Sequence, residues 1–206
     1  MKKYELLKHD VKISISGVPL FRVRYLKTNI LGGYIQSEKN LSQEGDAWIG
    51  GDARIGGNAR IEGNAWIGGD ARIGGDAWID GNARIGGDAR IVGNARIGGN
   101  AWIGGDARIG GDARIGGDAR IGGNAWIVGD DFLVVGPLGS RRAALTITRT
   151  KDGQLYAATG CYHGPIAEFL RRVEATHGQS CHVVAYRLAI ELAKAKLLPP
   201  VAEATP

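Results

Sequence analysis

The sequence predicts a mainly β protein organised around a β-solenoid, with a β cap before it and a small α+β module after it. Three observations carry this reading. Residues 45–128 write one six-residue phrase fourteen times without a gap, from Gly45-Asp46-Ala47-Trp48-Ile49-Gly50 to Gly123-Asn124-Ala125-Trp126-Ile127-Val128. A short fixed period means stacked identical units. Every copy keeps Ala and Ile two residues apart with Arg or Trp between them. Side chains alternate faces along a strand, so Ala and Ile point into a shaft and Arg or Trp point out. The Gly and Asp/Asn pair between triplets predicts a corner, because Gly accepts positive φ and Asn or Asp tolerate it.

Ile49-Gly50-Gly51-Asp52-Ala53-Arg54 and its copies resemble the hexapeptide signature of left-handed parallel β-helices. That resemblance implies a triangular coil with three hexapeptides per turn, and left-handed crossovers against the usual rule. Residues eighteen apart then stack at about 4.8 Å. One face carries Trp48, Trp66, Arg84, Trp102 and Arg120. The next carries Arg54, Arg72, Arg90, Arg108 and Trp126, and the third Arg60, Trp78, Arg96 and Arg114. Arg ladders beside aromatic platforms suit phosphates and bases. However, the solenoid's nine Arg face ten carboxylates, which predicts a solvated surface of mutually paired charges. All five Trp are expected to be exposed. That many exposed Trp favour a homo-oligomer, and the resemblance implies a trimer.

Ahead of the repeat, residues 1–44 read as an N-terminal β cap. Val11-Lys12-Ile13 and Phe21 to Leu26 alternate around a turn at Gly17-Val18-Pro19. Such a hairpin covers a solenoid end that would otherwise expose unpaired strands. Ile35 and Leu41 lie six apart, an echo of the repeat. Leu31 to Ser42 resembles the opening of hexapeptide-repeat proteins encoded by phages and prophages, some of whose relatives carry an acetyltransferase label. Fold does not fix function, so the label is not carried over.

After the repeat, residues 129–200 read as a β-β-β-α-α module. Phe132 to Gly136 predicts a strand, and Ala144–Thr150 with Leu155–Ala158 a hairpin turning at Asp152-Gly153. Pro165 is expected in the first helical position. Ile166, Phe169, Leu170 and Val173 keep helical spacing until Gly178. A second helix runs from about His182 to Leu198 and stops at Pro199-Pro200. Residues 201–206 are expected to be a disordered tail. The module resembles the end of the same phage-type proteins at Gly136 to Arg141, Gly160 to Gly164, Glu168-Phe169, Thr176 to Gly178, His182 and Tyr186.

The site candidates lie in this module. Ser140, Arg141 and Arg142 form a turn whose N–H groups and guanidinium could hold an anion. Cys161, His177, His182 and Tyr186 complete the ligand-binding candidates. Cys161, His163, His177, Cys181 and His182 include both cysteines, but their spacing matches no standard zinc site, so no metal and no cofactor is expected. Cys161 with His177 or His182 is an alternative nucleophile pair lacking an orienting third group. The bland reading has Cys161 ending a buried strand and His182 capping the second helix.

A net charge of +5 without a basic tail does not point to nucleic acid. No run of eighteen apolar residues predicts a membrane span, and the start lacks an apolar signal core, so a cytoplasmic location is expected (the host bacterial cytoplasm if phage-encoded). Residues 45–128 hold no His and no insertion, and a general base must reach the proton it takes, which disfavours acyl transfer. The leading expectation is a non-enzymatic scaffold that presents its C-terminal module in an oligomer, binding a host protein or an anionic small molecule. A binder that sequesters an anionic ligand such as a nucleotide signal and an acyl-CoA-dependent acyltransferase are the alternatives.

Overall fold

A computed structural model of the chain describes residues 2–14, 16–160 and 162–198. Cys161, the Pro199-Pro200 stop and the 201–206 tail lie outside the described residues.

Three strands open the fold: β1 (Tyr4–Ile13), β2 (Pro19–Tyr25) and β3 (Ile30–Ile35), paired antiparallel in that order. Fourteen solenoid strands follow, β4 to β17, the first Trp48–Ile49 and the last Trp126–Val128. They stack as three parallel sheets with an eighteen-residue step, Arg90 beside Arg72 and Arg108, Trp102 beside Arg84 and Arg120, and Arg96 beside Trp78 and Arg114. This is a parallel β-solenoid with three hexapeptides per turn and about five turns. From Trp48 to Asn100 each six-residue step donates three backbone N–H groups to the next turn, as in Arg90 N–H to Ala107 C=O, Val92 to Ile109 and Asn94 to Gly111, at 2.8–2.9 Å. All fourteen Ala and fourteen Ile of the repeat are buried in one continuous core.

Three details differ from the sequence expectation. Positive φ falls on the first Gly of each phrase, from 56° at Gly123 to 76° at Gly93, and on none of the Asp or Asn that follow. Freed from that task, the corner amides stack instead, Asn64 onto Asn82, Asn82 onto Asn100 and Asn100 onto Asp118 at 3.0–3.2 Å. Second, among the described residues no solenoid Arg forms an ion pair. The eighteen-residue step sets like over like, so Arg columns run parallel to carboxylate columns rather than into them. Arg96 and Arg108 rest over Trp78 and Trp126 instead, 5.9 and 5.6 Å from the ring centres. Third, only Trp66, Trp78 and Trp102 are exposed. Trp48 stacks on Tyr25 at 3.8 Å, and Trp126 is half-buried, because the flanking units cover both ends.

The N-terminal strands satisfy the first turn's free backbone groups. Strand β3 joins the parallel stack through Tyr34–Arg54, so the coil starts before the regular repeat. The buried Asn40 amide donates to the C=O of Gly57 and Ala59. The Tyr25 hydroxyl accepts the Ile49 N–H at 2.7 Å. Burial pushes that hydroxyl up to about 12. The folded state thus holds the proton more tightly than an unfolded tyrosine, which titrates near 10. This contribution is complete below pH about 10 and lost as pH rises through about 12. The neighbouring Tyr4 hydroxyl, bonded to Leu41 C=O, is raised by burial in the same sense. Alkaline titration followed by Trp fluorescence and tyrosinate absorbance should therefore show the Trp48–Tyr25 contact loosening between those values, with Tyr25→Phe removing most of that step. A signal unchanged through pH 12 would contradict the capping role.

The C-terminal unit has β18 (Phe132–Leu138), β19 (Ala143–Arg149), β20 (Leu155–Thr159), β21 (Tyr162–Pro165), α1 (Ile166–His177) and α2 (Cys181–Leu197). The sequence reading missed β21, since Gly164 and Pro165 disguise a short edge strand paired with β20. It also placed Pro165 one position late; it is the residue before the helix. Ser180, not His182, precedes α2. Strand β19 divides its faces: Leu145 and Ile147 pack under the helices, while Thr146 and Thr148, with Thr150 just after the strand, are buried toward the solenoid end. The Thr146 hydroxyl accepts the Arg120 N–H at 3.0 Å, so threonines finish the last coil's ladder. Among the described residues no helix is long and apolar enough to cross a membrane.

Candidate functional site

Unlike side chains converge where the rod meets the C-terminal unit. There β20 and β21 stand against the last turns and enclose a groove of about 760 Å³. Its floor is the solenoid column of Arg84, Trp102 and Arg120. Along one edge runs the amide stack of Asn64, Asn82 and Asn100. Tyr162 and His163 close the end. His163 lies over Gly122 and Gly123; a side chain at Gly123 would collide with its ring, and one at Gly122 would press tightly on it. Tyr156 packs against the imidazole, 5.7 Å between ring centres. Arg120 donates to Gly160 C=O at 2.6 Å, which ties the groove floor to its wall.

This groove combines two guanidiniums, an exposed indole face, three amides and an imidazole. Guanidinium and amide donors recognise oxyanions, and an indole gives a planar ring a stacking surface. Among the described residues no carboxylate lines the groove, and His163 supplies its imidazole.

The structure distributes the sequence-predicted residues over several places. Trp102, Arg84 and Arg120 belong to the groove, and Trp48 belongs to the N-terminal cap contact. Arg54, Arg72, Arg90 and Arg108 form a separate column on the next face, with Asp70, Asp88 and Asp106 beside it. Ser140, Arg141 and Arg142 form the exposed turn between β18 and β19. Arg142 has φ 48° and donates its N–H to Gly139 C=O at 3.1 Å, so that donor is committed within the turn. Tyr186 underlies this turn at Gly139, where a side chain would strike its hydroxyl. Burial raises the Tyr186 hydroxyl, and its ring meets Phe169 edge-on at 5.2 Å.

His177 ends α1 and His182 lies in the first turn of α2, which brings their rings 5.4 Å apart. Cys181 is exposed beside them. His163 is in the groove rather than with this pair. Among the described residues no three His, Cys, Asp or Glu side chains converge as a metal site.

Sequence reasoning missed the groove's amide edge and its closure by Tyr162. The signal was present: Asn64, Asn82 and Asn100 are eighteen apart and each lies two residues before an outward Trp or Arg of one column. No curated protein and no solved structure matches the chain. A family model described as YdcK Beta solenoid repeat matches residues 53–69 and 83–99, so over those two stretches the chain is similar to a repeat-type β-helix.

Proposed function

We propose that the protein is a non-enzymatic solenoid scaffold of phage or prophage origin that carries its C-terminal unit on a rigid rod in an oligomer. One observation supports this most: the rod repeats the same inward Ala and Ile and the same hydrogen-bonded step in every turn. Chemistry needs unlike residues brought together, and a uniform rod supplies length and stiffness instead. The left-handed sense and a trimeric count are carried by the resemblance to hexapeptide-repeat proteins. The exposed Trp66, Trp78 and Trp102 fit contact between copies. Light scattering on the native protein tests the reading. The expected mass is a multiple of the single chain at micromolar concentration; one chain only would contradict it.

The groove favours a second reading, a binder of an anionic, ring-bearing small molecule such as a nucleotide. In that reading Arg84 and Arg120 hold the oxyanion and Trp102 stacks on the ring. Freshly purified protein should then release material with nucleobase absorbance when denatured. Arg84→Ala with Trp102→Ala should abolish that release while far-UV circular dichroism stays unchanged. Protein that releases nothing, and whose Trp fluorescence ignores added nucleoside monophosphates, would contradict it.

A further inference from the structure

Helix α2 carries an apolar face that its own unit does not use. The inner face buries Val183, Tyr186, Ala189, Ile190, Ala193 and Leu197. On the outer face Val184, Leu188 and Leu192 are 54%, 66% and 54% exposed. Cys181 and Ala195 extend the same stripe at its two ends and are also exposed. At 100° per residue these five side chains fall within an arc of about 80°, along roughly 21 Å of helix. A surface helix ordinarily turns polar residues outward, and one that is apolar on both sides is normally covered.

The stripe is symmetric about its middle. Counted from Leu188, its members stand at −7, −4, 0, +4 and +7. A two-fold contact is isologous, so position +k on one copy meets −k on the other. We propose that two copies of this chain pair through antiparallel α2 helices with the two-fold axis at Leu188. Leu188 then meets the second copy's Leu188, Leu192 meets Val184, and Ala195 meets Cys181. The charges agree with this register. Arg187 and Glu191 lie on one flank of the stripe at −1 and +3. Antiparallel pairing brings each Arg187 within two residue steps, about 3 Å along the axis, of the other copy's Glu191. Within the single chain these groups hold Glu174 and Lys194 at 2.5 and 2.7 Å, and all four are exposed enough to exchange partners.

The pairing names a surface for the self-association that the scaffold reading requires, and rests on that reading for its purpose. It gives a dimer, or joins trimers into hexamers, so the number of chains is even. Five side chains per copy make a small interface, so association in the micromolar range is expected.

Two measurements test it. With Cys161→Ser in place, Ala195→Cys is oxidised by copper phenanthroline over a range of protein concentrations. Linkage of residue 181 in one copy to residue 195 in the other is the expected product. Light scattering on Leu188→Glu should show the association midpoint moved up by at least about tenfold, with far-UV circular dichroism retained because residue 188 is solvent-facing. Linkage only between two copies of Cys181 would indicate parallel helices and overturn the proposal. So would an odd-numbered assembly, or one whose mass ignores Leu188→Glu; those two results leave the scaffold reading standing. A single chain at all concentrations would overturn both.

Discussion

Ile85→Ala is expected to destabilise the solenoid by about 2–5 kcal/mol, read by chemical denaturation with far-UV circular dichroism. Ile85 is fully buried, and its strand is flanked on both sides, by Ile67 below and Ile103 above. The shaft is one layer of side chains wide, and its three walls are fixed to the neighbouring turns by backbone hydrogen bonds. A cavity there has little freedom to collapse, which favours the upper part of that range. In a solenoid each turn contacts only its neighbours, so the loss should also split unfolding into two steps, one for each side of the broken turn. A loss below about 1 kcal/mol would show that the shaft is loosely filled.

Gly87→Ala should cost as much, by a different route. Gly87 has φ 63°, where a Cβ atom costs about 1–2 kcal/mol by itself. Here that atom would also meet the backbone N and O of Gly105 at 2.8 Å. Neither backbone can yield without breaking the step between turns, so a further 1–3 kcal/mol of roughly estimated overpacking adds to the strain. Gly74→Ala is the matched control. A Cβ at Gly74 meets nothing within 4 Å and its φ is not in the left-handed region, so that variant should be neutral or slightly stabilising. Equal effects at the two positions would contradict the corner assignment.

The repeat made its own architecture legible because each copy states the same rule. Ala and Ile two apart require one buried face, and a step of eighteen then orders all the outward columns. What the residues could not reveal is how the coil ends. Tyr25 reaches Ile49, Asn40 reaches Ala59 and Thr146 reaches Arg120, each across 19 to 26 residues and with no local periodicity. The burial of Trp48 and Trp126 follows from those same end units, so it too was invisible in a pattern that treats every Trp alike. The missed pairing of charges has another source. Counting Arg against Asp reports balance but not placement, and the column rule separates like from unlike.

The groove was half visible for a related reason. The eighteen-residue step that the hexapeptide resemblance implies puts Arg84, Trp102 and Arg120 in one column, but their meaning depends on Tyr162 and His163. Those belong to β21, the strand whose Gly and Pro content hid it. The Ser140–Arg142 turn and the His177–His182 pair are local clusters, easy to notice in a sequence. The structure seats the first on Tyr186 and joins the second across the α1–α2 connection, and it leaves both apart from the groove.

The central claim is that three hexapeptides close one turn with Ala and Ile inside. Paired cysteines test it most directly. In a chain with Cys161→Ser and Cys181→Ser, the double variant Arg90→Cys/Arg108→Cys places thiols on residues that sit side by side in adjacent strands. Their separation of about 4.8 Å suits a disulfide. Arg90→Cys/Trp102→Cys places them on different faces. The account predicts rapid intramolecular oxidation of the first pair and none of the second, whatever the protein concentration. Oxidation of the second pair, or resistance of the first, would mean that the coil closes on another period.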